Sequence, residues 1–102
     1  MTDREYLELA AKAAGNPVGT SRAGGGLLMA NDLYWNPLTD DGDAFRLAVK
    51  CDIDITQGNG LSRAEYSLGC GYFVIEEPQN ADPCAATRRA IVRAAAEIGK
   101  NL

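Results

Sequence analysis

The chain has 102 residues, of which 46% are apolar and 24% charged, and its formal net charge is −4. These values are ordinary for a globular protein, so we expect residues 1–102 to form a single small domain. The acidic balance argues against direct nucleic-acid binding, because phosphate contacts need a basic surface. We also expect no membrane association: no apolar run is long enough to span a bilayer, and residues 1–5 lack the features of a signal peptide.

The first helix is predicted by a capping box, in which Thr2 and Glu5 satisfy each other's backbone N–H groups, and it ends at Gly15. A loop over residues 15–26 follows. Its glycines, two hydroxyls and one cation superficially resemble a phosphate cradle, although the lysine and the preceding strand of a P-loop are missing. A mobile loop is the first interpretation, and nucleotide or phosphate binding is the alternative, through Thr20, Ser21 and Arg22.

The second helix is predicted to begin at Thr39 or Asp40, after a turn at Asn36 and Pro37. Carboxylates fill its first turn, where the helix dipole favours negative charge, and a metal site there is the weaker interpretation. Its buried side would be supplied by Phe45, Leu47, Ala48, Val49 and Cys51. The sequence does not distinguish a strand from irregular structure over residues 27–35. Before the turn, Trp35 is a core anchor or, if exposed, part of a partner-binding surface formed by Tyr34, Trp35 and Asn36.

Two turns predict how three antiparallel strands pair. Residues 51–56 alternate apolar and polar side chains, and a four-residue loop after them would place Asp54 opposite Arg63. A two-residue turn at residues 69–70, with glycine first, would place Arg63 opposite Glu76. The turns agree on one apolar face, made of Cys51, Ile53, Ile55, Ala64, Tyr66, Phe73 and Ile75.

The other face of this sheet is predicted to be polar. It would carry a charge network around Arg63, with paired carboxylates for acid–base chemistry as the alternative; the acidic members are Asp52, Asp54, Glu65 and Glu76. We expect residues 27–35, or a second copy of the chain in a homodimer, to cover part of this face.

The last helix begins at Asp82 and Pro83, a cap followed by a first-turn proline, and Gly99 is predicted to end it. An alanine-rich stripe would face the core. A basic strip is either a solvated face, with Arg93 paired to Glu97, or a surface for an acidic partner; its members are Arg88, Arg89 and Arg93.

Catalytic chemistry finds no support in the residue types. The chain has no histidine, which excludes a Ser-His-Asp triad, a Cys-His pair and any histidine metal site. Its three cysteines are widely spaced, so we expect reduced thiols in a cytoplasm, with no metal and no cofactor. Cys51 and Cys84 are predicted to pack in the core and Cys70 to lie in a turn. The sequence therefore predicts a protein that is not an enzyme.

Several of these segments, in the same order, resemble the phage ABA sandwich domain proteins, a family of small phage and prophage proteins without an established activity. The resemblance rests on the aromatic Trp35 before the Asp40–Asp43 helix start, on residues 36–50, and on the alanine-rich last helix with Ala86 and Thr87. It implies a phage origin and a layered α+β fold, and it supplies no site residues. We expect a three-stranded antiparallel sheet packed with three helices. The expected function is binding of a host or phage protein, with anti-defence and regulatory roles as its finer versions.

Overall fold

A computed structural model describes residues 1–15, 18–21, 26–29 and 34–102, and for residues 18–21 and 28–29 it describes the backbone only. Three helices and six strands are found in this part of the chain, and they confirm the predicted α+β class. In chain order they are α1 (Asp3–Ala14), β1 (Val18–Ser21), β2 (Leu27–Met29), β3 (Tyr34–Trp35), α2 (Asp41–Lys50), β4 (Asp54–Gly58), β5 (Leu61–Leu68), β6 (Gly71–Pro78) and α3 (Pro83–Lys100).

The helix boundaries follow the predicted capping residues. Thr2 accepts a hydrogen bond from the Glu5 backbone N–H at 3.2 Å, and Glu5 accepts one from the Thr2 backbone N–H at 3.1 Å. Gly15 closes α1 in the left-handed conformation, at φ 70°. Asp40 caps α2 by accepting a bond of 2.8 Å from the Asp43 N–H, so the first-turn carboxylates serve the helix start as predicted.

A small antiparallel sheet, β1-β2-β3, occupies the region that the sequence left undefined. Leu27 pairs with Trp35, and Val18 pairs with Met29. The prediction of a continuous loop over residues 15–26 is therefore wrong for Val18–Ser21, which form a strand because β2 supplies backbone partners for them.

The larger antiparallel sheet has the order β4-β5-β6, and its second hairpin has the predicted register. Arg63 lies opposite Glu76, and the rings of Tyr66 and Phe73 stack with centroids 5.6 Å apart. The hydrogen bond from Arg63 Nε to Glu76 Oε2 is 2.6 Å long. These contacts confirm the predicted turn at residues 69–70.

The first hairpin of this sheet differs from its prediction. Asn59 and Gly60 alone form the turn, at φ 55° and 73°, so Asp54 lies opposite Glu65 and not opposite Arg63. The register moves by two residues, so the strand residues keep their predicted faces. The strand also starts later than expected, and Asp52 lies in a turn outside the sheet.

Helix α3 is central to the core. It contacts β5 and β6 on one side and α1 and α2 on the other. Gly99 lies inside α3 and does not end it: a Cβ there would lie 2.0 Å from the Leu9 carbonyl oxygen. Its role is to let α1 approach closely. Both helices bury small side chains, which include Ala10, Ala11, Ala14, Ala95 and Ala96.

Helix α2 buries a different stripe from the predicted one. Ala44, Leu47 and Ala48 are buried, whereas Phe45 is 66% exposed and Val49 is 63% exposed. The reason is that α2 packs against α3 through one narrow face, which does not extend to Phe45 and Val49.

The polar face of the larger sheet is not covered by the residues that the structure describes. Tyr72 is 78% exposed, and Val74 beside it is half exposed. The expected cover from residues 27–35 is not found for their described part: β2 and β3 belong to the other sheet, and Trp35 is buried in the core.

Candidate functional site

An open groove of about 580 Å³ lies between α2, the first half of α3 and strand β4. We call it the edge groove, because β4 is an edge strand of its sheet. The residues that line it are Asp41, Ala44, Phe45, Ile55, Gln57, Gln79, Pro83, Cys84, Thr87, Arg88 and Ile91.

The edge groove is mainly apolar. Ala44 and Ile91 are buried, whereas the Phe45 ring and the Ile55 side chain are 66% and 40% exposed. Burying one fully exposed large apolar side chain contributes about 1.5–3 kcal/mol, and a partner that covers Phe45 and Ile55 gains the part of this that their exposed fractions represent. Concave apolar surfaces with a few fixed polar groups are the usual form of a binding site.

A hydrogen-bonded cluster closes the polar end of the edge groove. Gln57 Nε2 donates to Thr87 Oγ1 at 2.8 Å, and Gln79 Nε2 donates to Gln57 Oε1 at 2.6 Å. The fully buried Ser62 Oγ donates to Gln57 Oε1 at 2.9 Å, and Thr87 Oγ1 donates to the Pro83 carbonyl at 2.8 Å. These bonds join β4, β5 and α3, so the shape of the groove is fixed without a ligand.

A charged pair forms the rim on the α2 side. Arg88 Nη1 lies 2.6 Å from Asp41 Oδ1, and Arg88 Nε donates to the Leu38 carbonyl at 2.8 Å. Because its guanidinium is held by these groups, Arg88 links α3 to the start of α2. The predicted role of Arg88 as part of a surface for an acidic partner finds no geometric support here.

The other two arginines of the predicted basic strip also hold elements together. Arg89 lies 3.0 Å from Asp3, which ties α3 to the start of α1. Arg93 pairs with Glu77 on β6, and that bond raises the pKa of Arg93. The predicted pairing of Arg93 with Glu97 is wrong, because the guanidinium extends toward the sheet. The strip therefore links α3 to neighbouring elements.

The surface predicted around the tryptophan is largely internal. Trp35 is only 5% exposed, which confirms the core interpretation and removes the condition for partner binding there. Asn36 is buried; its N–H donates to Asp43 at 2.9 Å, and its Oδ1 accepts from the Leu38 N–H at 3.1 Å. Tyr34 is half exposed, and its hydroxyl lies 3.4 Å from Asn36 Nδ2.

The alternative ligand site is only partly within the described residues. Thr20 and Ser21 belong to strand β1, and Arg22 lies outside the described residues. The backbone pairing of β1 with β2 places both hydroxyl-bearing residues in a sheet, which differs from the loop that a phosphate cradle needs.

The three cysteines have distinct surroundings, and each is a free thiol. Cys51 is half buried at the end of α2, where burial raises the pKa of its thiol. Cys70 is exposed in its predicted turn. The prediction that Cys84 packs in the core is wrong: it lies in the first turn of α3, exposed, and lines the edge groove.

The edge groove was not predicted from the sequence. Its signals were present in Phe45 and Ile55, but both fit an apolar stripe and were assigned to the core. No helix within residues 1–15 and 34–102 has the length and apolarity needed to cross a membrane. Comparisons with protein-family models, curated proteins and solved structures find no match.

Proposed function

We propose that this protein acts by binding a segment of another protein in the edge groove. The observation that carries the proposal is the exposure of Phe45 and Ile55 on either side of a fixed, mainly apolar cleft. In a chain this small, exposed large apolar side chains around one concavity are typical of a recognition surface.

The charge and chemistry of the groove favour binding over catalysis. Its ionisable lining side chains are Asp41, Arg88 and Cys84, and the first two neutralise each other. The third is an exposed thiol, and the other polar side chains that line the groove, two amides and a hydroxyl, are not general bases. Nucleophilic catalysis needs a base within hydrogen-bond reach of the nucleophile.

The resemblance to the phage ABA sandwich proteins motivates the biological side of the proposal. The protein is then a non-enzymatic accessory protein of phage or prophage origin that works in the cytoplasm of a bacterial host. Its partner is a host or phage protein. An anti-defence or regulatory action follows if the bound partner is a defence or regulatory component, and this version rests on analogy alone.

Affinity capture tests the binding proposal with two matched variants. Phe45→Ser and Val49→Ser each remove an exposed apolar side chain from α2, one turn apart, and only Phe45 lines the groove. Tagged wild type and both variants are expressed in a bacterial host and the captured proteins are quantified. We expect wild type and Val49→Ser to capture the same partner. Phe45→Ser should bind that partner about tenfold more weakly, which corresponds to about 1.4 kcal/mol of binding free energy.

The same preparations separate the rival function. Equal capture by all three proteins, or no specific capture, would contradict groove binding. A nucleotide that raises the melting temperature while capture fails would instead favour a small-ligand protein, since a ligand that binds only the native state stabilises it. Plaque counts of a restricted phage on cells that express the protein test the anti-defence version, which predicts more plaques.

A further inference from the structure

We propose that the partner segment binds as an extended strand along the outer edge of β4, with apolar residues alternating with lysine or arginine. This inference rests on the proposed function and specifies its binding mode and the chemistry of the partner.

The backbone of β4 offers hydrogen-bonding groups on its outer edge. The Asn59-Gly60 turn has two residues, both at positive φ, so Gly58 and Leu61 form the hydrogen-bonded pair beside the turn. Hydrogen-bonded pairs then recur at every second residue. Between them, Ile55 and Gln57 direct their backbone N–H and C=O groups away from β5. Within the described residues no strand pairs with this edge. An unpaired edge is a template for another strand.

The side chains of the same backbone positions line the edge groove. Ile55 and Gln57 point toward α2 and α3, since successive side chains of a strand alternate between faces. An antiparallel or parallel strand added beside β4 would direct every second side chain into the space above Phe45 and Ile91. These partner side chains are apolar in our proposal, because the groove wall they meet is apolar.

The opposite face of β4 supplies the charge preference. Asp54 and Glu65 lie directly across the β4–β5 pair, and like charges in that position destabilise each other. Neither carboxylate forms an ion pair within the described part of the chain, and the nearby Arg63 is engaged by Glu76 at 2.6 Å. A lysine or arginine on the added strand, next to Asp54, would relieve this repulsion. The residues between the apolar ones are therefore basic.

The same charges disfavour a second copy of the chain as the occupant. Pairing β4 with its own copy would place two sets of Asp54 and Glu65 on one continuous sheet face, without any added cation. The edge has five residues, so a partner segment of about five to seven residues covers it, at about 3.3 Å per residue.

A random peptide display selection tests the inference directly. It is run on the wild type and, as the matched control, on the Asp54→Asn/Glu65→Gln double variant, which keeps side-chain size and removes both charges. We expect the wild type to enrich peptides in which apolar and basic residues alternate, and the double variant to lose the basic preference. A synthetic wild-type-selected peptide should bind the double variant about tenfold more weakly.

Two further measurements on that synthetic peptide examine the backbone pairing. The backbone amide signals of Ile55 and Gln57 should shift on binding, and their hydrogen exchange should slow. Two peptides of the same sequence are then compared, one N-methylated at the odd and one at the even positions. Only one of them should bind, because only every second amide of the added strand faces β4. Sensitivity to Phe45→Ser, with no effect of Val49→Ser, places the peptide in the groove.

Several results would overturn the inference. Enriched peptides without alternation, or binding that ignores both N-methylation and the charge change, exclude strand addition. If such peptides still depend on Phe45, the groove binds a partner in another mode and the proposed function stands. If no peptide is enriched while capture of a cellular partner depends on Phe45, strand addition is again excluded and the proposed function stands. A dimer in sedimentation, with its Ile55 amide protected, assigns the edge to a second copy.

Discussion

Replacing Gly99 by alanine should destabilise the protein through the α1–α3 contact. A Cβ at Gly99 would lie 2.0 Å from the carbonyl oxygen and 2.8 Å from the carbonyl carbon of Leu9, and this obstacle is backbone. Overpacking costs about 1–3 kcal/mol, and a backbone obstacle favours the upper end or more. Alanine in a helix returns about 1 kcal/mol. We expect a net loss of about 2 kcal/mol, which lowers the melting temperature by about 8–16 °C.

Urea denaturation of wild type, Gly99→Ala and Gly42→Ala measures this effect. Gly42 is also helical, but its added Cβ would meet only side-chain atoms of Arg46 and Asp40, at 3.2 Å. Gly42→Ala should therefore be neutral or more stable, by up to about 1 kcal/mol. A Gly99→Ala protein as stable as the wild type, with Gly42→Ala also unchanged, would refute the close approach of α1 and α3.

Three further expectations concern thiols, an ion pair and a cap. Burial raises the pKa of Cys51, so at neutral pH a thiol reagent should modify native Cys51 more slowly than the exposed Cys84, and equally fast after denaturation. Arg93→Met should cost about 1–3 kcal/mol in urea unfolding, because it leaves the partly buried Glu77 without its hydrogen-bonded partner. The hydrogen bond from the Thr2 backbone lowers the pKa of Glu5, so the ionised Glu5 side chain stabilises the folded protein above its unfolded pKa. The stability difference between wild type and Glu5→Gln should therefore shrink as the pH falls through the folded pKa of Glu5.

The fold could be predicted where local chemistry decides it. The capping pairs at Thr2 and Asp82 and the glycine at Gly69 each have one low-energy arrangement, and the structure has these arrangements. The Asn59-Gly60 turn carried an equally strong local signal for a two-residue hairpin. A four-residue loop competed with it because a shift of two residues leaves the apolar pattern unchanged, so periodicity could not separate the registers.

The groove could not be predicted because it depends on the tertiary arrangement of α2. Apolar periodicity places Phe45 and Leu47 in one helix but does not say how wide the contact with α3 is. The structure buries Ala44, Leu47 and Ala48 on α2 and leaves Phe45 outside the contact. Cys84 follows the same logic: it is exposed in the first turn of α3, so a residue assigned to the core lines an open surface.

The three arginines of α3 show a second limit of sequence reasoning. Their spacing predicts a basic strip on one helix, and pairing within the helix is the nearest option. In the structure Arg89 and Arg93 reach Asp3 and Glu77, which are distant in sequence. Such pairs become visible only when the elements are placed together.

Site-specific crosslinking tests the central claim most directly, and the chain provides its own control. Cys84 lines the edge groove, whereas Cys70 is equally a free, exposed thiol but lies in the β5–β6 turn. Two variants that each keep only one of these cysteines are labelled with a photoreactive crosslinker and irradiated in bacterial lysate. We predict a discrete crosslinked partner from Cys84, reduced about tenfold by Phe45→Ser, and none from Cys70. Equal products from both cysteines, or a product from Cys70 alone, would contradict binding in the edge groove.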